Sequence, residues 1–232
     1  MQAKQEILVI AATDLELAPA RELLGESPAG ISFAATGAGK VSTALKTLEL
    51  IQQRTPGWII QVGCAGAYPS SGLSTGDAAL AELEIFADEG VRTPDGFLTM
   101  EDLSLPQAER EGEVIYNRVP VEGPTKTALE SIRSAIAAPP SIRTGPFCTV
   151  SCGSGSDAAA AWIEAAWSPL VESMEGASAA LVAWKHKVRF SEIRGISNQT
   201  GNRKREEWDI PAACESAARV LAAWIAAERG SP

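Results

Sequence analysis

The chain has 232 residues, 20 Lys plus Arg against 29 Asp plus Glu, and one histidine, His186, for a formal net charge of −9. An acidic excess repels phosphate backbones and speaks against general nucleic-acid binding, and a lone histidine excludes multi-histidine metal sites and leaves a Ser-His-Asp triad dependent on one position. Carboxylates are therefore the expected chemists, in a chain whose 45 % hydrophobic content suffices for a core without disulfides or metal.

The first apolar run, Glu6 to Ala12, is short and rich in Ile, Leu and Val, which predicts a buried strand. Asp14 is placed to cap a helix with Leu17, Ala20, Leu23 and Leu24 on one face, ending near Gly25. A strand at Ile31 to Thr36 meets the turn Gly37-Ala38-Gly39, and Val41 to Gln53 has helical periodicity. Trp58 to Val62 reads as a strand. Ala78 to Phe86 reads as a longer one beyond the loop Gly66-Ala67-Tyr68-Pro69-Ser70-Ser71-Gly72. Residues 88–112, charged and interrupted by Pro94, Gly96 and Pro106, predict a surface excursion too short to be a domain. Lys126 to Ala138 is expected as a helix, Ile142 to Ser151 as a strand and Asp157 to Ala166 as an Ala-rich helix. Met174 to Lys187 follows as a helix, Val188 to Ile196 as a strand, and Glu206 to Glu228 as a final helix with a possible break at Pro211. This alternation predicts one α/β domain over residues 1–232, a three-layer α/β/α arrangement with a central mixed sheet and a site in the loops at strand ends.

Cys64, Cys148, Cys152 and Cys214 lack the paired spacing of a zinc site or a disulfide framework, as expected of free thiols. The polar start Met1 to Glu6 has no signal-peptide core, and no uninterrupted apolar run approaches the ~20 residues of a membrane span, so a soluble cytoplasmic protein is expected.

Ala34 to Ser42 invites a phosphate-loop reading, but that motif needs Gly at Ala34 and Ser or Thr at Val41, and the dinucleotide fingerprint fails at Ser42. A glycine-rich strand-to-helix turn remains, equally suited to an anion, a hydroxyl or plain packing, with Lys40 beyond it expected in solvent. The small residues Gly63-Cys64-Ala65-Gly66-Ala67 after a buried strand permit close ligand approach or tight packing alike. Cys64, among apolar neighbours that should raise its pKa, is expected to be a packed side chain rather than a nucleophile.

Glu16, one turn into the first helix, and Glu175, in Ser173-Met174-Glu175-Gly176-Ala177, each stand beside an expected loop. Either alone is explained by the helix dipole; together they suit cleavage of a glycosidic bond, one activating water and the other gripping sugar hydroxyls. In Arg194-Gly195-Ile196-Ser197-Asn198 the Asn198 amide has a donor and an acceptor for a planar heterocycle, with Ser197 to relay or cap; a strand-end turn would give the same sequence.

In this order Ile7-Leu8-Val9-Ile10-Ala11-Ala12 with Glu16, Gly37-Ala38-Gly39-Lys40-Val41, Gly63-Cys64-Ala65-Gly66, Gly76-Asp77, Met174-Glu175-Gly176-Ala177 and Arg194 to Asn198 resemble the nucleoside phosphorylase and nucleosidase superfamily over nearly the whole chain. Within it, Arg194 to Asn198 followed by Gly201-Asn202-Arg203 and Trp208 is most similar to the nucleosidases that release hypoxanthine from futalosine in menaquinone biosynthesis. The resemblance implies a hydrolase without metal or cofactor, with Glu16 acting on the attacking water. Met174 and Glu175 would lie at the ribose and Gly66 and Ser197 around the substrate, with Asn198 as the second catalytic residue, at the base, in place of the Asp of adenine-releasing relatives. It further implies Arg203, Lys204 or Arg205 as partner of a substrate carboxylate, Phe147 or Trp208 (or neither) as the stacking ring, a small-molecule nucleoside as the only partner besides a second copy in a dimer or higher homo-oligomer, and no nucleic acid or membrane. A phosphorylase, a methylthioadenosine/S-adenosylhomocysteine nucleosidase-like enzyme and a non-catalytic nucleoside-binding protein are the alternatives.

Overall fold

The computed structural model describes residues 6–136, 140–202 and 204–230. Strand β1 (Ile7–Ala11) leads into helix α1 (Asp14–Leu24), and β2 (Ile31–Ala35) into α2 (Lys40–Arg54). They are followed by β3 (Trp58–Ala67) and β4 (Ala78–Phe86), the hairpin β5 (Gly90–Thr93) and β6 (Gly96–Thr99), and the short strands β7 (Ala108–Arg110), β8 (Glu113–Ile115) and β9 (Arg118–Pro120). The second half runs α3 (Lys126–Ala135), β10 (Ile142–Thr149), α4 (Asp157–Trp167), β11 (Val171–Ser173), α5 (Gly176–Lys185), β12 (Arg189–Gln199) and α6 (Ile210–Gly230).

The main sheet has the order β11-β10-β4-β12-β3-β1-β2, with β9 on β4. It is mixed: β2, β1, β3 and β12 are parallel to one another, and β4 enters antiparallel to β12. Residues of β1 alternate between two cores, as a strand buried on both faces requires. Val9 and Ala11 pack with Leu17 of α1, Ile132 of α3 and Trp224 of α6, while Leu8 and Ile10 pack with Leu50 of α2 and Ala180 and Trp184 of α5. The expected α/β/α layering follows from that alternation. The sheet also closes on itself, which the sequence did not announce: the last residues of β3 pair antiparallel with β11, Ala67 opposite Val171 and Gly66 opposite Glu172.

Five local expectations are corrected. The cap of α1 is Thr13, with Glu16 as its reciprocal partner in a capping box, and Asp14 is the first helical residue. Leu23, placed on the buried face, is 53 % exposed. The small-residue run Gly63–Ala67 is strand, not loop, and the predicted helix at Met174 begins only at Gly176 because β11 and its turn take the preceding residues. The final helix starts at Ile210, so Pro211 sits in its first turn, where a missing N–H costs nothing, and breaks nothing. Ala138, the expected end of α3, lies outside the described residues. The helix α6 does have the length and mean hydropathy, 1.3, of a membrane span, but half of it is buried inside the protein, where Ala217, Leu221 and Trp224 pack on the sheet.

Candidate active site

The ends of β1, β3, β11 and β12 surround a cleft of about 610 Å³, a size suited to a small organic molecule. Its walls carry Glu16, Cys64, Gly66, Met174, Glu175 and Asn198. Residues as far apart in sequence as Glu16 and Asn198 thus meet at strand ends that sheet closure, β11 against β3, draws together.

Glu16 is held from two sides. Its Oε2 accepts from the Thr13 backbone N and hydroxyl, both at 3.0 Å, and its Oε1 accepts from the Cys64 N–H at 3.2 Å. Close approach of β3 is required here: a Cβ on Gly63 would stand 2.6 Å from Glu16 Oε1 and 2.7 Å from Arg194 Nη1. The carboxylate is 8 % exposed yet lines the cleft, a geometry in which a bound water can be oriented and deprotonated.

Glu175 has a different set of partners. Its Oε1 accepts from the Gly39 N–H at 3.0 Å, and its Oε2 accepts from the Met174 N–H at 3.3 Å and from Arg194 Nη2 at 3.2 Å. The glycine turn, read above as a possible anion cradle, therefore spends its Gly39 amide on a protein carboxylate. A phosphate placed there would lose that donor and face a negative charge.

Arg194 is 1 % exposed and fills the space behind the cleft. Its Nε donates to Glu192 Oε1 at 2.6 Å, its Nη1 to the Cys64 carbonyl at 3.1 Å and its Nη2 to Glu175. Burial opposes its charge, but Glu192, Glu175 and Glu16 outweigh burial and raise its pKa above the ordinary arginine range. In the sequence Arg194 stands out only as part of the motif Arg194 to Asn198. The signal in the sequence is a cation between Ile193 and Gly195, two residues after Glu192 in a strand that must be buried, where a charge demands partners.

At the far end, β12 slips register against β3 between Ile196 and Asn198, a bulge that re-aims the chain at Ser197. The Ser197 hydroxyl donates to Asn198 Oδ1 at 2.7 Å, and Asn198 Nδ2 donates to the Gln199 carbonyl at 2.7 Å. Gly66 packs close beneath, where a Cβ would stand 3.2 Å from Asn198 Nδ2. Met174, 39 % exposed, lies on the opposite lip, and Trp208 joins the wall, whereas Phe147 is wholly buried in a core cluster with Ala65 and Val171 and is no candidate for stacking.

The remaining wall is the loop 151–154. It is tied down by Glu172, which no sequence motif marks: Glu172 Oε1 accepts from Ser154 N at 2.7 Å, and its Oε2 accepts from Ser154 Oγ at 2.6 Å and from the Tyr68 hydroxyl at 2.7 Å. Burial and the facing Glu172 charge hold the Tyr68 phenol far above its ordinary range, so it serves as a donor.

Two expectations about single residues fail. Lys40 is not solvated: its side chain is 11 % exposed, pairs with Asp88 and lies 3.1 Å from Glu89 Oε1, and Asp88 in turn accepts from Ser151 N at 2.6 Å. Cys64 has its thiol shifted down rather than up, because a hydrogen bond with Cys214 of α6 outweighs burial and the nearby Glu16. Arg203 lies outside the described residues, and Lys204 pairs with Glu207 at 3.2 Å on the surface.

The family model of the phosphorylase superfamily matches residues 23–227; the chain belongs to that superfamily. Among curated proteins it is 30 % identical over 193 residues to the futalosine hydrolase of Acidothermus cellulolyticus, covering 82 % of this chain and 73 % of that one. It is 28 % identical over 202 residues to the futalosine hydrolase of Thermus thermophilus, covering 87 % of this chain and 84 % of its relative. Among solved structures, the 5′-methylthioadenosine/S-adenosylhomocysteine nucleosidase of Neisseria meningitidis in complex with methylthio-immucillin-A superposes with a TM-score of 0.76 at 19 % identity, over 96 % of this chain and 99 % of that one. At that identity the likeness establishes the fold.

Proposed function

We propose that the chain is a futalosine hydrolase, a nucleosidase that cleaves the N-glycosidic bond of futalosine with water to release hypoxanthine and dehypoxanthine futalosine. The observation that carries this reading is the pair Glu16 and Glu175 lining one cleft together with Asn198; the futalosine hydrolases similar to it support the substrate. Glu16, fixed by three donors, orients the attacking water and takes its proton. Glu175, with Met174 beside it, receives the ribose hydroxyls, and its charge stabilises the oxocarbenium-like transition state.

Asn198 reads the base. With Oδ1 accepting from Ser197 and one N–H given to the Gln199 carbonyl, the second N–H of Asn198 is left to donate to the carbonyl or adjacent ring nitrogen of a 6-oxopurine. An ionised Asp there would meet that carbonyl acceptor with an acceptor. Hydrolysis rather than phosphorolysis is supported by the Gly39 amide, which serves Glu175. The enzyme is read as one domain of residues 1–232, with residues 88–112 as its surface excursion, acting in the cytoplasm on a small nucleoside and assembling as a homo-oligomer, with Arg203 reserved for the substrate carboxylate.

Chromatography of reactions with futalosine, inosine and the 6-amino analogue, with and without phosphate, tests the reading. Hypoxanthine release from futalosine, fastest of the three and independent of phosphate, is expected. Phosphate-dependent release would make the chain a phosphorylase, preference for the amino compound would move it to the adenine-releasing nucleosidases, and retention of all three without turnover would leave a binding protein.

A further inference from the structure

Behind the cleft stands a second set of charges that the proposed reaction does not use. Glu84 on β4 and Glu192 on β12 are both wholly buried. Their carboxylates converge on the one spot that α5 leaves open, since a side chain on Gly176 would collide at once with Glu84 Oε2 and Glu192 Oε2. Glu84 Oε2 accepts from the Thr149 hydroxyl at 3.0 Å, and that oxygen accepts from the Ala177 N–H at 2.8 Å, in the first turn of α5. Glu192 Oε1 takes the Nε–H of Arg194, whose Nη2 reaches Glu175. Among the described residues, Glu192 Oε2 and Glu84 Oε1 have no hydrogen-bond partner. Two carboxylates converging in a dry interior do not both ionise, and one proton between them supplies the missing donor.

We propose that Glu84 and Glu192 share one proton and act as a positioning pair for Glu175, Glu192 by aiming the Arg194 guanidinium at it and Glu84 by anchoring, through Thr149, the helix start on which it stands. The inference rests on the reading of Glu175 as the ribose-binding carboxylate. Burial first, then the facing Glu192, puts the Glu84 carboxyl well above the ordinary range; burial also raises Glu192, against the pull of Arg194. The titratable and charged groups facing the pair are Arg194 on β12, Glu175 at the head of α5 and Cys148 on β10, whose thiol burial and Glu84 push up and so keep neutral. With the shared proton, the single negative charge of the pair is balanced by Arg194, and the charge of Glu175 remains for the cationic ribose. Without it, three carboxylates would crowd one guanidinium.

Infrared spectroscopy and kinetics on the purified protein test the pair separately from the substrate reading. In the wild type at neutral pH, a carbonyl stretch of a protonated carboxylic acid is expected, shifted in D2O and absent from Glu84→Gln. Glu84→Gln, which keeps the neutral hydrogen-bonding shape, should hold futalosine kcat within about threefold, Glu84→Leu should lose about tenfold or more, and Glu192→Gln should lower kcat by about 10- to 100-fold with KM moving less than about threefold. Absence of the acid band, its persistence in Glu84→Gln, or a wild-type kcat in Glu192→Gln would overturn the proposal. If no nucleoside is hydrolysed, the substrate reading fails while the infrared band still decides whether the proton is shared.

Discussion

At the end of the cleft proposed to hold the ribose, Glu16 and Glu175 take their hydrogen bonds mainly from backbone N–H groups of the α1 cap, β3 and the 37–39 turn, backed by a fully buried arginine. At the end proposed to hold the base, Asn198 and the 151–154 loop rest on side-chain contacts from Ser197 and Glu172 and on a single bulge in β12, with Trp208 lining the cleft beside them. The first arrangement is part of the sheet and cannot change without unravelling it. The second is carried by exchangeable side chains and loop backbone. Under the proposed reading, the rigid arrangement serves the ribosyl cation with fixed dipoles and charges, and the exchangeable one serves the base and its neighbours.

The comparison is broken most directly at Glu16. Replacing it with Gln keeps the shape and the cap at Thr13 but removes the base, so kcat for hypoxanthine release should fall by about 10²- to 10⁴-fold with KM nearly unchanged. A Glu16→Gln protein turning over at the wild-type rate would show that water is activated elsewhere and that the rigid end of the cleft is merely structural.

The base end should respond differently, by redirecting activity rather than abolishing it. Asn198→Asp places an acceptor against a 6-oxo group and is expected to move the preference between the hypoxanthine- and adenine-releasing substrates by about 10- to 100-fold toward the latter, read as a ratio of kcat/KM values. An unchanged ratio would mean that the base is read by another group.

Glu172→Gln should have a milder effect. It weakens the bonds to Ser154 and Tyr68 that fix the loop 151–154, and a rise in KM of about three- to tenfold at nearly constant kcat is expected. A fall in kcat of the size expected for Glu16→Gln would erase the distinction between the two ends.

How much of this was readable from the sequence follows the same division. β1, β4 and α2 were legible because short apolar runs and 3.6-residue periodicity answer to local burial, and Glu16 and Glu175 were legible because each interrupts such a pattern beside a strand end. Thr13 was overlooked because Asp14 competes for the same cap, and β11 because three residues carry no periodicity. Glu172 was hidden for a related reason: its meaning comes from β11 pairing with both β10 and β3, a closure that no local pattern encodes. Burial of Lys40 is not legible in the sequence because its partners, Asp88 and Glu89, belong to the charged stretch that composition assigns to solvent.

The smallest expected effect concerns the charges beneath the rigid end and is seen in stability rather than catalysis. Glu84 and Glu192 both have their pKa values raised in the folded protein, Glu84 far above the ordinary carboxylate range, burial being the leading cause for each. Between the ordinary range and those raised values the folded state holds protons that the unfolded chain has already released. Stability from these groups is therefore complete below the ordinary range and is lost as pH rises through the raised values. Carboxylates with lowered values act in the opposite sense, but only in acid: Glu228, whose first cause is its hydrogen bond to Arg189, adds stability above the ordinary range and loses it as pH falls through its lowered value. Raising the pH from about 5 to about 8 should thus lower the wild-type Tm, at roughly 2–4 °C per kcal/mol lost for a chain of this size, and Glu84→Gln should flatten the slope because its neutral amide has no proton to lose. Parallel slopes for the two proteins in thermal melts across that range would mean that Glu84 is already ionised when folded, leaving Arg194 to balance both buried carboxylates and Glu175 at once.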